Sequence, residues 1–247
     1  MLVANIVPVN HLSDVRHRPY HMCLTALIEQ SLSYANFYKQ ESLNGSFILL
    51  DNGAAEGEVA NIGRVINAAS IIYADEIVLP DCIYNKDKTL ERSYKGLNIV
   101  KRRNLQLTTM GVPHGETFEE WCQCAEQLVD FGVDSIGVSK FVTPKYPGGR
   151  FSCVEYLYKI LQVDVDMIDV HLLGCWGSPR EIGMLVNEYP TIRGTDSAIA
   201  YVYSNVGVYL DQQDRPKGEV DFLNGQADPD CLRTNLHLWE DMCYGYL

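Results

Sequence analysis

Residues 105–141, LQLTTMGVPHGETFEEWCQCAEQLVDFGVDSIGVSKF, hold a complete strand–helix–strand passage. LQLTTMGV is a short apolar, β-branched run that stops at the turn Pro113-His114-Gly115. Thr117, with Glu120 three residues on, has the spacing of a capping box and predicts a helix over about 117–131. Gly132 closes that helix, and SIGVSKF restores the strand pattern. The alternation continues in both directions. Apolar runs at 2–9, 46–52, 76–81, 167–174 and 191–197 join those at 105–112 and 135–141. Helix-like stretches at about 20–41, 57–73, 87–103, 152–162 and 178–189 separate them, the last opening on Ser178-Pro179, a cap followed by proline. Strands that alternate with helices form a parallel sheet covered by helices. Seven strands, with room for an eighth near 206–210 or 220–224, favour an α/β fold of the (β/α)8 TIM-barrel type over an open doubly wound sheet.

The chain of 247 residues, 47% hydrophobic and 21% charged, is ordinary for one globular domain of this kind. It has no repeat and no long linker. Residues 211–247, turn-rich and then helix-like over 229–243, read as an extension packed on the barrel. The opening MLVANIVPVNHLSD lacks a basic leader and reads as the first strand, and no run of about 18 apolar residues predicts a membrane helix. A cytoplasmic protein is expected. The eight cysteines, at 23, 82, 122, 124, 153, 175, 231 and 243, show no CxxC spacing, so buried reduced thiols are expected and a metal site is not. A net charge of −12 argues against broad nonspecific nucleic-acid binding. Local basic segments at Lys86–Lys95, Lys101–Arg103 and Lys140–Arg150 leave room for a groove, although each alone reads as a solvated face.

Three carboxylates stand where an apolar run gives way to a polar or Gly-rich turn: Asp51 in SFILLDNGAAEG, Asp81 in EIVLPDCIYN and Asp196 in TIRGTDSAIA. In barrels that position is the ligand-binding face. Like charges gathered in one cleft repel, so a site explains them better than structure does. Asp51 reads as a general base or a carboxylate that holds a reacting group, against a plain helix cap. Asp81 could accept two N–H donors from a purine-like base, or close a turn. His114 could bond a heterocycle or shuttle a proton, or be a satisfied structural group. His171 lies earlier in its run and is expected to pack inside. Asp196 suits a covalent nucleophile at an anomeric carbon. The chain contains no GxGxxG opening a helix, no GxxxxGK[ST], no HExxH and no GxSxG.

In order and spacing, these segments over about 46–200 resemble the tRNA-guanine transglycosylase superfamily. Asp51-Asn52-Gly53 resembles its Asp-Ser-Gly-Gly turn, and EIVLPD its base-binding strand. The 110–141 stretch resembles the strand with a Gln-Gly-Gly turn, the helix and the Gly-rich strand that follow. HLLGCWGSPREIGMLVNEYPTIRGTDSA resembles the stretch that presents the nucleophilic Asp. The resemblance implies a TIM barrel that swaps guanine for a 7-deazaguanine in nucleic acid, without a cofactor. Asp196 would be the nucleophile and Asp51 the proton-handling or ribose-orienting group. Asp81, His114, Asn52, Gly53, Ser139 and Lys140 would form the base site. His114 replaces the family's Gln, and Ser139-Lys140 its Gly-Gly. The CxCxxC…His zinc pattern of the tRNA enzymes is lacking, so the chain is more similar to short phage and bacterial members that modify DNA. DNA is thus the favoured partner over tRNA, and a homodimer is compatible with this reading. Two rivals belong to other classes: a metal-dependent barrel hydrolase or lyase acting on a small molecule, and a non-catalytic barrel subunit that binds nucleic acid.

Overall fold

Eight parallel strands make up one sheet: β1 (Leu2–Asn5), β2 (Tyr20–Leu24), β3 (Phe47–Asp51), β4 (Glu76–Val78), β5 (Thr108–Gly111), β6 (Ser135–Ser139), β7 (Asp169–Leu173) and β8 (Gly194–Ser197). The computed structural model describes residues 1–57, 60–163, 167–212 and 220–245, leaving aside the side chain of Glu56. The strand order is β1-β8-β7-β6-β5-β4-β3-β2. The two ends of that order, β1 and β2, pack side by side, with no ladder between them among the described residues. The result is a nearly closed (β/α)8 TIM barrel in a single domain. Helices follow the strands: α1 (Thr25–Gln30), α2 (Leu32–Leu43), α3 (Ile62–Ile72), α4 (Lys86–Arg102), α5 (Phe118–Phe131), α6 (Val142–Lys145), α7 (Gly149–Lys159), α8 (Arg180–Glu188), α9 (Ile199–Ser204) and α10 (Pro229–Cys243). Among the described residues no helix is long and apolar enough to cross a membrane.

The strand–helix–strand passage folds as its residues dictate. The Thr117 hydroxyl accepts the Glu120 N–H at 3.2 Å, capping α5, and the Glu120 carboxylate accepts the Glu116 N–H at 2.8 Å. Gly132 ends the helix in the left-handed region at φ 77°. The eighth strand is a correction. It is neither 206–210 nor 220–224 but β2, inside the stretch expected to be helix from residue 20. Every residue of β2, YHMCL, is buried, as in a parallel sheet covered on both faces, so it shows no alternation. It also runs directly into α1 without Gly or Pro, which hides the boundary. The expected helix then breaks again at Ser31, whose hydroxyl caps α2 by accepting the Tyr34 N–H. Near 220–224 the chain instead lays its backbone against the β1 side of the barrel, where the Phe222 carbonyl accepts the Val9 N–H at 3.0 Å.

The stretch after residue 220 is tied to the barrel through α10, which packs on α8, α9 and β1. Buried Asn235 clasps the preceding turn, its amide donating to the Ser204 hydroxyl and the Val208 carbonyl and its oxygen accepting the Leu210 N–H. Glu240 reaches the open seam: it accepts from Asn5 at the end of β1 and pairs with Arg18 just before β2.

Seven of the eight cysteines are buried and Cys82 is half-buried; none is in a disulfide. Burial holds the thiols of Cys23, Cys122, Cys124, Cys153 and Cys243 above their ordinary range, which keeps the reactive thiolate scarce. A small alkylating reagent at about pH 8 is expected to label Cys82 first. Peptide mapping that finds a buried cysteine labelled ahead of it would contradict this packing.

Candidate active site

The C-terminal ends of the strands open into a cavity of about 310 Å³. Asp51 reaches it from the end of β3, Asp81 from the loop after β4 and His114 from the loop after β5. Ser139 and Lys140 come from the end of β6, and Asp196 from β8. The three carboxylates singled out in the sequence therefore share one cavity, with apolar walls that include Met22, Leu24, Val112 and Leu173. Val220 and Phe222 also line it, so the stretch after the barrel contributes to the site. Gly53 is not a lining residue. It sits at φ 84°, open to glycine without strain, and its N–H donates to Asp51 Oδ2 at 3.2 Å. The Ala54 N–H likewise donates to Asn52 Oδ1 at 2.8 Å. Asp51 and Asn52 thus shape their own turn while facing the cavity.

Two buried carboxylate–imidazole pairs present their carboxylates to this cavity. Asp81 Oδ2 lies 2.7 Å from His114 Nε2, and Asp81 Oδ1 accepts the Asn52 amide at 2.9 Å. The Asn52 amide also donates to the Leu79 carbonyl at 2.7 Å, which fixes its orientation. Each oxygen of Asp81 therefore has one partner and keeps a second lone pair.

The second pair is Asp196 with His171, the histidine expected to pack inside. Asp196 Oδ1 lies 3.0 Å from His171 Nε2 and accepts the Gly174 N–H at 3.2 Å. Its Oδ2 takes no hydrogen bond among the described residues. One oxygen is anchored and the other is left for the cavity.

Behind His171 a polar chain descends into the barrel. The Tyr20 hydroxyl is 3.1 Å from His171 Nδ1, and Arg193 donates to that hydroxyl at 3.5 Å. Burial pushes the Tyr20 phenol well above its ordinary value, so it remains a donor. This order of donors places the imidazole proton on Nε2, directed at Asp196. Arg193 is held in turn by buried Glu76, through Oε2 at 2.5 Å and Oε1 at 3.3 Å, and by Asp169 at 3.1 Å. The Ser135 hydroxyl completes Glu76 at 2.5 Å. Gly194 leaves room for this arrangement: a Cβ there would come 2.8 Å from the Leu2 carbonyl and 3.3 Å from His171 Nδ1.

Sequence reasoning missed the role of His171 and the whole of Tyr20. The inward parity of β7 could have found the first, since Leu173 lines the cavity and His171 lies two residues below it on the same face. Among the described residues, no group of three His, Cys, Asp or Glu side chains is placed to hold a metal ion. Compared with models of known protein families and with curated proteins, the sequence matches none.

Proposed function

We propose that this chain is a base-exchange transglycosylase that replaces guanine in nucleic acid with a 7-deazaguanine. The observation that carries the reading is Asp196: a buried carboxylate with one oxygen anchored by His171 and Gly174, and the other open to a cavity shared with Asp51 and Asp81. A carboxylate so held is suited to attack an anomeric carbon. The cavity volume of about 310 Å³ is at the small end of ligand pockets, which suits one heterocycle with its sugar.

In the first step Asp196 Oδ2 bonds to C1′ of the target nucleotide. The C1′–N9 bond breaks with its electron pair on guanine, and Asp51 gives the departing base a proton. In the second step Asp51 takes the N9 proton of the incoming base, N9 bonds to C1′, and the C1′–Asp196 bond breaks. Asp81, preset by Asn52 and His114, offers its remaining lone pairs to the N–H edge of each base, beside Ser139 and Lys140. Neither step calls for a redox or nucleotide cofactor. The target nucleotide must leave its stack to enter the cavity. DNA is the favoured substrate, because the sequence lacks the CxCxxC…His pattern of the tRNA enzymes it resembles.

The test is incubation with labelled guanine or 7-deazaguanine bases and either DNA or tRNA, followed by digestion to nucleosides and mass spectrometry. A deazaguanine nucleoside from DNA is expected. Product from tRNA alone would keep the chemistry and change the substrate, and no exchange with either would end the proposal.

A further inference from the structure

Beside the cavity mouth, three active-face loops each bring forward an aromatic side chain. Tyr84 follows β4, Phe141 follows β6 and Trp176 follows β7. Their rings form a chain: Tyr84 to Phe141 at 6.5 Å and 76°, and Phe141 to Trp176 at 6.1 Å and 65°. The Tyr84 hydroxyl also donates to the Phe141 carbonyl at 3.3 Å, which ties two of the loops together. Tyr84 sits at φ 60°, a conformation uncommon for an aromatic residue and kept only where its surroundings enforce it. Two ammonium groups lie over these rings, Lys145 at 4.6 Å from Tyr84, where it also donates to the Glu116 carboxylate at 2.7 Å, and Lys140 at 5.5 Å from Phe141. Phe141 and Lys140 line the cavity as well, so rim and cavity are continuous. At the outer end, Trp176 keeps 41% of its surface exposed.

We infer that this rim is a stacking platform for the single-stranded nucleic acid on either side of the extruded nucleotide. An adjacent base lies on Trp176, and the strand's phosphates meet Lys140 and Lys145. The inference rests on the transglycosylase reading and deepens it by naming the surface that holds the strand. Aromatic faces interleaved with cations are the chemistry that binds single strands with little sequence preference. On a chain with a net charge of −12, Lys140 and Lys145, the second shared with Glu116 at 2.7 Å, set cations beside the aromatic rim of the site. The exposed edge of such a platform also explains a tryptophan left in solvent beside a buried site.

The chain has its own reporter. Trp121 and Trp239 are fully buried, so a fluorescence change caused by a bound strand comes from Trp176. Titration with a short guanine-containing single-stranded DNA, and with RNA of the same sequence, is expected to quench emission saturably. Trp176→Ala is expected to weaken binding, measured by anisotropy of a labelled strand, by about ten-fold or more, while Trp176→Phe retains most of it. Asp196→Asn, which leaves the rim intact, is expected to bind the strand like the parent. A Trp176→Ala protein that binds and exchanges bases like the parent would overturn the platform and leave the transglycosylase reading standing. A parent protein that binds neither strand and exchanges no base would remove both. Emission that responds to an acidic peptide but to neither strand would also overturn the platform, in favour of a protein partner.

Discussion

Asp196→Asn is expected to lower base exchange by roughly four orders of magnitude or more, the scale on which covalent nucleophiles matter. That corresponds to about 5 kcal/mol of transition-state stabilisation. The substitution keeps shape and acceptor alike: Asn Oδ1 can still take the His171 Nε2 proton and the Gly174 N–H that Asp196 Oδ1 takes now. What it removes is the charged oxygen in the cavity. Folding, judged by the thermal midpoint, should therefore be close to the parent's while the chemistry is lost. The covalent protein–strand adduct that the proposed mechanism predicts for the parent on a denaturing gel should be missing for the variant. Persistent exchange by Asp196→Asn would show that another group attacks C1′.

The second large effect concerns stability and does not depend on any view of function. Glu76→Ala is expected to cost about 3–5 kcal/mol, because breaking a buried ion pair from one side leaves the other charge uncompensated. Glu76 is fully buried and Arg193 mostly covered, and without Glu76 the guanidinium keeps, among the described residues, the half-exposed Asp169, the Tyr20 hydroxyl and the faces of Tyr20 and Phe47. Denaturant unfolding with an unchanged slope would measure the loss. The double variant Glu76→Leu, Arg193→Met should recover most of it, since apolar replacement of both partners removes the desolvation cost together with the attraction. A single variant within about 1 kcal/mol of the parent would show that the pair carries no such weight.

The barrel and its three strand-end carboxylates were legible because each lies on a local contrast. An apolar run that ends in a polar turn marks the ligand-binding end of a strand without any knowledge of neighbours, and Asp51, Asp81 and Asp196 all follow that rule. Thr117 with Glu120 and Gly132 were legible for the same reason, as signals within a few residues of each other. YHMCL was not. Burial on both faces erases alternation, and the absence of Gly or Pro before α1 erases the boundary. The support behind Asp196 was hidden for another reason. Tyr20 and His171 are 151 residues apart and Glu76 and Arg193 are 117 apart, so their pairing exists only once the barrel closes. With β2 unrecognised, no parity argument could bring Tyr20 beneath His171. The partnership of Asp81 with both Asn52 and His114 is likewise a product of three loops meeting.

The seam between β1 and β2 has a consequence for how the molecule comes into being. No backbone ladder joins those two strands among the described residues, and the side chain that spans the gap, Glu240, belongs to α10. β1 is also the strand that flanks β8, with Ala4 opposite Asp196. A chain emerging from the ribosome therefore makes its first two strands long before it makes the clasp that draws them together. Until residues 229–243 are released, the wall beside Asp196 stands without its fastening, and the cavity is among the last parts of the molecule to be finished.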